Sequence, residues 1–374
     1  MTMLHNDLGV RLALLAGLAI GGPALAHHSV TANFDTSRQI EVRGTVVDFK
    51  LRSPHASLVI DGIGYIDGVA QSDTVERWEV ESSAGPGLQK RGFTAESISA
   101  GDQIIVIGAP SRRGLNRVNS SNFLREDRTS FAEPPAIEFD YQPAFRARAG
   151  LDAAPEIEVA AEGVYKLGGR WQPPFQQEGT SSALPLNAAG LAAWNSYDQT
   201  KSPANTCEPM SIPVVMNAPS YYVDIRFNDG KVVIQNQAYD IVRTVPLDGS
   251  EAKADPEGEF GVVKGSIDGD TLIVASHDYP VSLWGLGAAT QINGGGADVP
   301  SSPQKTVTEH FALGDHDNVL VYEYTLFDPV YMEHPHTAKI ELARVPDSVP
   351  MYPYNCDVES ARQFSRAAGQ SLLN

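Results

Sequence analysis

Three histidines near the start of the chain could bind a transition metal. His27 follows Ala24-Leu25-Ala26, an Ala-x-Ala site at which a signal peptide could be cleaved, and cleavage there would place a free α-amine beside its imidazole. A terminal histidine of this kind chelates through its amine and a ring nitrogen, and His28 or His55 would supply the third nitrogen. These donors suit copper or zinc better than calcium or magnesium. The alternative is a solvated terminus and a His55 that bonds within its own turn.

A second set of histidines lies in the last third of the chain: His277, His310, His316, His334 and His336. If their segment is extended, His334 and His336 point to one face, because side chains two residues apart share a face of a strand. Glu333 or Asp328 could then add a carboxylate ligand. A polar rim at the mouth of a barrel is the alternative interpretation of the same residues.

Aromatic residues near a few polar groups predict a ligand site in the second half of the chain. The residues concerned are Trp284, His277, Tyr239 and Tyr322. Small-molecule pockets are lined mainly by apolar and aromatic side chains, with a few polar groups that fix orientation. We therefore expect this half to bind a small apolar molecule. There is no Gly-x-Ser-x-Gly motif and no glycine-rich phosphate loop after a strand, and enzymatic turnover is left open.

The two cysteines of the chain, Cys207 and Cys356, are predicted to form a disulfide. Exported proteins meet oxidising conditions in which paired cysteines are stable. The alternative is two buried thiols that lie too far apart to pair.

Export itself is predicted by residues 1–26. An apolar run from Leu12 to Ile20 follows Arg11 and is ended by Gly21-Gly22-Pro23. The run is shorter than the roughly 20 apolar residues that span a bilayer, and it is interpreted as part of a cleavable signal peptide. We expect a periplasmic or secreted protein that is soluble, with no integral membrane segment after signal removal.

The charge of the chain bears on its partners. The formal net charge is −18, with 46 acidic and 28 basic residues. Nucleic acids and anionic membrane surfaces attract basic proteins, so the balance argues against both and favours a small-molecule ligand. A length of 374 residues predicts two domains, because single hydrophobic cores stop growing at about 250 residues.

Residues 27–131 are predicted to form a small barrel. Apolar and polar residues alternate from Ile40 onward and again from Val75 to Ser82, which is typical of half-buried strands. A short helical piece follows around Leu88 to Arg91, and two more strands come after it. Three strands, a helix and two strands are the order of an OB-type barrel.

Six short motifs occur in order along this region: His27-His28-Ser29, Gly44-Thr45-Val46, Ser53-Pro54-His55-Ala56, Trp78-x-Val80-Glu81, Arg91-Gly92-Phe93 and Gly101-Asp102. Together they resemble an uncharacterised family of exported bacterial proteins with a His-His-Ser mature N-terminus and an OB-like N-terminal domain of unknown function. The resemblance covers residues 27–125, and the family more often has Asn where this chain has Ser53. It implies export and an OB-like fold, and it implies no particular activity.

The remaining chain is predicted to be a linker and a second barrel. Residues 132–219 contain repeated proline breakers and are interpreted as a wrapping segment with one short helix over residues 188–197, capped by Asn187. Residues 220–374 alternate as strands joined by turns such as Asp229-Gly230. The whole chain is therefore all-β, an OB-like small barrel followed by an antiparallel meander that forms a lipocalin-like barrel, with a β-sandwich as the alternative.

Residues 279–305 interrupt this meander with a glycine-rich stretch. Long loops in compact domains are commonly lids or binding loops. The segment is therefore predicted to cover the barrel, with Trp284 as its apolar contact. The alternative is that Trp284 plugs the end of the barrel and leaves no cavity.

Overall fold

A computed structural model describes most of the chain, and it confirms the all-β fold class. The described residues are 33–133, 157, 159, 161–173, 183–198, 201–218, 221–288, 298–359 and 361–362. Two sheets, each curved into a barrel, contain all of the described strands except one two-stranded hairpin.

The first sheet is the OB-like barrel. Its elements are β1 (Ile40–Lys50), β2 (Ser57–Ile66), β3 (Val69–Ala70), β4 (Glu76–Glu81), helix α1 (Gly85–Lys90), β5 (Gln103–Pro110), β6 (Arg117–Asn119) and β7 (Phe123–Leu124). Strand β1 pairs with both β2 and β5, and β5 pairs with β6. The parallel pair of β4 with β6 then closes the barrel. This is the order of strands expected from the sequence.

The OB-like barrel is filled by side chains and tightened by glycine. Val42, Ile60 and Val106 are completely buried in its core. Gly44 and Gly62 face each other across β1 and β2. A Cβ atom on Gly44 would lie 2.3 Å from the carbonyl oxygen of Asp61, so these two strands could not approach as closely with any other residue there.

The second sheet has ten antiparallel strands, and we call it the C-terminal barrel. The elements of this half are β8 (Gly169–Gln172), helix α2 (Ala188–Asn195), β9 (Val223–Asn228), β10 (Lys231–Asn236), β11 (Ile241–Pro246), β12 (Ala252–Lys253), β13 (Val262–Asp268), β14 (Thr271–His277), β15 (Ser282–Ala288), β16 (Asp298–Ser301), β17 (Thr306–Leu313), β18 (Val319–Phe327) and β19 (His336–Val345). The sheet order is β11-β10-β9-β8-β19-β18-β17-β14-β13-β12. The two edges meet where Thr244 N donates to Ala254 O at 2.8 Å, which makes a nearly closed barrel rather than a sandwich.

The segment predicted to be only a linker contributes to this barrel. Strand β8 lies between β9 and β19 and pairs with both, so the barrel begins well before residue 220. Four residues containing one glycine are too few to show an alternating pattern, and the sequence therefore did not reveal the strand. The predicted helix is present as α2, and Asn187 Oδ1 accepts from Gly190 N at 3.0 Å as its N-cap.

The C-terminal barrel has two distinct ends. Tight turns such as Asp229-Gly230 and the 3-10 helix Gly163–Leu167 lie at one end, where Leu167 and Trp171 are completely buried. At the opposite end of the barrel, three strands finish and three begin. Those that finish there are β10, β14 and β18, and those that begin there are β11, β17 and β19. We call this second end the mouth.

The mouth is filled by residues 209–218, which we call the plug. Within it, Ile212 and Met216 are completely buried and Val215 is 1% exposed. The plug includes the 3-10 helix Val214–Asn217. Its described backbone hydrogen bonds are formed within this part of the chain and not to the barrel strands.

Residues 346–359, which we call the strap, run from the end of β19 to the mouth. Gln237 Nε2 donates to Tyr352 O at 2.8 Å, and Tyr354 N donates to both carboxylate oxygens of Asp240 at 3.0 and 3.1 Å. The strap therefore holds the turn between β10 and β11.

The same strap continues to the OB-like barrel. Ser53 N donates to Asn355 O at 3.1 Å, and Asp357 N donates to Ser53 O at 2.9 Å. The predicted disulfide between Cys207 and Cys356 is present, with Cα atoms 6.1 Å apart. Since Cys207 immediately precedes the plug, the disulfide ties plug, strap and OB-like barrel together.

Helix α1 adds a second contact between the two barrels. The ammonium nitrogen of Lys90 lies 3.3 Å from the ring centroid of Tyr222 and 3.4 Å from Gln172 Oε1. Burial lowers the pKa of Lys90 well below its ordinary value, and the nearby charge of Arg170 acts in the same direction. Lys90 therefore lies where the two barrels meet, between helix α1 and the β8–β9 region of the C-terminal barrel.

Replacement of both cysteines by serine should destabilise the protein by about 2–5 kcal/mol, because the disulfide closes a long loop in the unfolded chain. The two residues are 149 positions apart. Urea unfolding of the parent and the double variant measures the difference. Reductant should weaken the parent and leave the variant unchanged. A loss below about 1 kcal/mol would show that the disulfide adds little to the noncovalent contacts.

Candidate functional site

A buried ion pair occupies the interior of the C-terminal barrel. Arg243 Nη1 and Nη2 donate to Glu309 Oε2 and Oε1 at 2.6 and 3.0 Å, and both side chains are completely buried. The hydroxyl of Tyr322 donates to Glu309 Oε1 at 3.0 Å. Two parallel hydrogen bonds between guanidinium and carboxylate form the strongest common geometry for such a pair.

Burial and the Glu309 carboxylate shift the pKa of Arg243 in opposite directions and the pKa of Tyr322 in the same direction. Burial by itself lowers the pKa of Arg243, but the adjacent Glu309 carboxylate outweighs it and raises that pKa. Burial, followed by the same carboxylate, raises the pKa of Tyr322 well above its ordinary value. Arg243 is therefore a cation and Tyr322 a neutral hydroxyl across the ordinary pH range.

Two polar atoms near this pair have no hydrogen-bond partner among the described residues. They are Arg243 Nε, a donor, and Asn236 Oδ1, an acceptor. Asn236 is 1% exposed and lies at the mouth end of β10. The plug covers both residues, since Asn236 Nδ2 lies 3.2 Å and Arg243 Nη2 lies 3.9 Å from the sulfur of Met216. Thioether sulfur is a weak acceptor, so Met216 is a weak partner for Asn236 Nδ2 and Arg243 Nη2 and cannot donate to Asn236 Oδ1.

Lys305 fastens the plug to the barrel at the start of β17. Its Nζ donates to Ser211 Oγ at 2.7 Å and to Gly285 O at 2.6 Å, and it lies 4.3 Å from the ring centroid of Tyr279. Burial lowers the pKa of Lys305 to about 7, although the carboxylates of Asp328 and Glu309 act in the opposite direction. The side chain is completely buried in this structure.

Aromatic rings surround the plug at the mouth. Trp284 and Tyr239 are in edge contact with ring centroids 6.1 Å apart, and Tyr239 lies 4.6 Å from Tyr354 of the strap. The indole N–H of Trp284 donates to Pro209 O at 3.1 Å. The predicted lid is therefore the hairpin of β15 with β16, and it presses Trp284 against the outer end of the plug. Residues 289–297 lie outside the described part of the chain.

The four predicted ligand residues occupy three different places. Trp284 and Tyr239 meet at the mouth, and Tyr322 lies deeper, beside Glu309. His277 lies on the outer surface, where its half-exposed ring contacts Asp278 and Glu251. Side chains alternate along β14, so Ser276 faces inward and His277 faces outward. The structure therefore does not bring His277 together with the other three.

The predicted metal ligands are only partly described. His27 and His28 lie outside the described residues. His55 Nδ1 lies 2.8 Å from Ser82 O, and because a carbonyl only accepts, Nδ1 carries the proton. Among the described residues no three His, Cys, Asp or Glu side chains gather as a metal site would require.

The second histidine pair does not share a face. His336 is 6% exposed and packs 6.2 Å from the ring of Tyr324, whereas His334 is exposed and contacts the carbonyl of Pro335. The pair was predicted on the assumption that the segment is extended throughout. Strand β19 begins only at His336, so the alternation does not include His334.

Sequence reasoning missed the central groups of the interior, although a signal for them exists. Arg243 stands between Ile241 and Val245 at the inward positions of β11, and Glu309 stands between Val307 and Phe311 in β17. When one strand has a positive residue at a core position and another strand has a negative one, the two indicate a buried ion pair. The contacts of Met216 with Asn236 and Arg243 have no comparable signal in the sequence.

Two open pockets formed by described residues lie on the OB-like barrel. Their volumes are about 360 and 320 Å³, and both are lined in part by Gln103 and Glu126. They lie on the surface beside β5, whereas the mouth of the C-terminal barrel is filled by the plug. A ligand could therefore reach the interior only after the plug has moved.

Comparison with known proteins agrees with an uncharacterised family. The model of a family of unknown function, DUF6152, matches residues 16–119. No curated protein matches the chain. No helix in the described part of the chain has the length and apolar character needed to cross a lipid bilayer.

Three solved structures have low overall similarity to this chain. A zebrafish ileal bile acid-binding protein complexed with cholic acid is 10% identical over 48% of this chain and 99% of that chain, with a TM-score of 0.24. Apo lipid binding protein 8 of Caenorhabditis elegans is 6% identical over 48% and 96%, with a TM-score of 0.24. A mutant of the fluorescent protein UnaG is 14% identical over 49% and 99%, with a TM-score of 0.25. The barrel assignment rests on the strand order described above.

Replacement of Arg243 by Met should cost about 3–5 kcal/mol of folding stability, because it leaves the Glu309 carboxylate buried without its partner. The double variant Arg243→Met/Glu309→Gln removes both charges and keeps an acceptor for Tyr322, so it should recover at least about 2 kcal/mol of that loss. Urea unfolding of four proteins measures the coupling free energy: the parent, Arg243→Met, Glu309→Gln and the double variant. Additive losses would show that the two charges do not depend on each other.

Proposed function

We propose that this is a binding protein whose C-terminal barrel takes up a small apolar molecule through the mouth. The observation that carries the proposal is the pair of unsatisfied polar atoms, Arg243 Nε and Asn236 Oδ1, buried beside Met216 of the plug. Buried polar groups of folded proteins almost always have partners. Their lack of partners here supports a state in which another molecule lies against them.

The plug has the properties of a removable part. Its backbone forms local hydrogen bonds, and its contacts with the barrel come from side chains such as those of Lys305 and Trp284. A segment without strand pairing can leave while the ladder of the barrel stays intact. The buried apolar residues Ile212, Val215 and Met216 would leave an apolar space behind them.

Binding is favoured over catalysis because Arg243 and Glu309 already form an ion pair and Lys305 Nζ already donates to Ser211 and Gly285. Arg243 and Glu309 pair with each other, and Tyr322 gives its hydroxyl hydrogen to Glu309. A general base or nucleophile needs a free position next to the substrate. The arrangement instead supports a site that fixes the orientation of one ligand in an apolar surrounding.

The neutral fluorescent probe N-phenyl-1-naphthylamine should bind the protein saturably with one site per chain. Met216→Ala weakens the closed state, because loss of a buried methionine side chain costs about 2–5 kcal/mol. A larger open fraction should lower the apparent Kd of the variant about tenfold or more. Fluorescence titration of the parent and the variant measures this change.

Met332→Ala serves as the matched control, because Met332 is also buried, at 2% exposure, and its described contacts do not include the plug. It should lose similar stability and keep the Kd of the parent. Equal Kd values for all three proteins would contradict the role of the plug. Absence of saturable binding by both the parent and Met216→Ala would contradict the proposed function itself.

A second candidate function is copper or zinc binding at the mature N-terminus, by His27 with His28 or His55. The observation in its favour is the tautomer of His55: the proton on Nδ1 faces Ser82 O, which is the arrangement that orients many metal-binding imidazoles. This proposal requires export to the periplasm or beyond and cleavage after Ala26.

Protein purified from its exported form should begin at His27 and bind one Cu²⁺ per chain. Unprocessed protein that still begins at Met1 lacks the free α-amine of His27, and His55→Ala lacks one imidazole. Each change should weaken Cu²⁺ binding at least about tenfold, because each removes a nitrogen donor. Intact mass gives the start of the chain, and isothermal titration gives the stoichiometry. Equal affinity in processed and unprocessed protein would exclude the site.

A further inference from the structure

The polar end of the ligand can be deduced from the atoms that surround Met216. This deduction rests on the proposed function, because it concerns the same site. Arg243 presents one unused donor, Nε–H, and Asn236 presents one unused acceptor, Oδ1. Both side chains are almost completely buried, at 0% and 1% exposure. Arg243 Nη1 and Nη2 already donate to the carboxylate of Glu309.

The two unused atoms belong to neighbouring side chains that contact the same residue of the plug. Ile234 of β10 pairs with Arg243 of β11, and Asn236 pairs with Ile241. Asn236 and Arg243 are therefore diagonal neighbours, whose side chains are about 7–8 Å apart at their bases. The sulfur of Met216 touches both side chains. A group in place of that thioether would therefore lie beside both side chains.

We propose that the ligand carries a neutral head group that both accepts and donates a hydrogen bond, such as an alcohol or a primary amide, and that this head group replaces the thioether of Met216 between Asn236 and Arg243. An alcohol accepts from Arg243 Nε–H and donates to Asn236 Oδ1 with one oxygen. A primary amide does the same with its carbonyl and its N–H.

A free carboxylate does not fit these atoms. It has no hydrogen to donate to Asn236 Oδ1. The positive charge of Arg243 is already matched by the bidentate Glu309, so a second carboxylate would bring an uncompensated negative charge into the barrel. Isolated charges are far more costly to bury than neutral polar groups. The ion pair, which at first sight resembles an anion site, therefore selects against anions.

The experiment measures displacement of N-phenyl-1-naphthylamine by four compounds with the same ten-carbon chain: 1-decanol, decanamide, decanoate and n-decane. A pH of 8 keeps decanoate ionised, because carboxylic acids have ordinary pKa values near 4. Decanol and decanamide should displace the probe at concentrations about tenfold or more below those of decanoate, and about tenfold below those of decane, as one well-made hydrogen bond provides.

Two variants test the assignment of the atoms. Asn236→Leu removes the acceptor and should abolish the advantage of decanol over decane. Ser276→Ala removes a different buried hydroxyl, which contacts Tyr279 and not the plug, and it should keep that advantage. If Asn236→Leu does not fold, the order of the four compounds on the parent protein still decides the proposal.

The outcomes separate this inference from the proposed function. Probe binding with decanoate equal to or better than decanol would overturn the neutral head group and leave the apolar site intact. Equal displacement by all four compounds would show that Arg243 Nε and Asn236 Oδ1 are satisfied by water alone, and it would also overturn the inference. Failure of the probe and all four compounds to bind would contradict both proposals.

Discussion

The closed form of the C-terminal barrel depends on one ion pair that crosses its interior. Arg243 belongs to β11, an edge strand of the sheet, whereas Glu309 belongs to β17, near the other edge. If the two strands moved apart while the interior stayed closed to water, each charge would be buried without its partner, at a cost of several kcal/mol. The pair therefore favours the curved, nearly closed sheet over a sandwich. It also places fixed polar groups where related barrel shapes could hold only apolar side chains.

The position of this pair explains why the mouth has so many covering parts. Exclusion of water lowers the local dielectric constant, which strengthens a paired charge and makes an unpaired polar group costly. Here the plug, the hairpin with Trp284 and the strap provide the shielding. The disulfide between Cys207 and Cys356 links the strap covalently to the chain just before the plug. The arrangement combines a wall of paired strands with a plug that has no described backbone hydrogen bond to those strands.

The sequence predicted the classes of structure better than the details of the site. Long alternating strands, Asp-Gly turns and the N-cap at Asn187 depend on local chemistry, and these features were recognised. The disulfide was predicted from the expected compartment and from the positions of Cys207 and Cys356 before and after the strands of the second barrel. Strand β8 was not predicted, because four residues are too few to show the alternation of apolar and polar side chains.

The site itself was predicted only in part, because its geometry is not local. Trp284 and Tyr239 were identified by type, but their neighbour Met216 comes from a segment that appeared to be linker. His277 was assigned to the site although its position in β14 faces outward. Long-range contacts decide which residues meet across a barrel mouth, and a single sequence gives no measure of them.

The disulfide between Cys207 and Cys356 has a topological consequence. The covalent ring that it closes contains β9 to β19, but β8 comes from the chain before Cys207 and still stands between β9 and β19. The barrel wall is thus completed by a strand from outside the ring, through only three paired residues on each side. Strand β8 is therefore held in the barrel wall by noncovalent contacts with its two neighbours. Its detachment would open the barrel sideways while every covalent bond stayed in place.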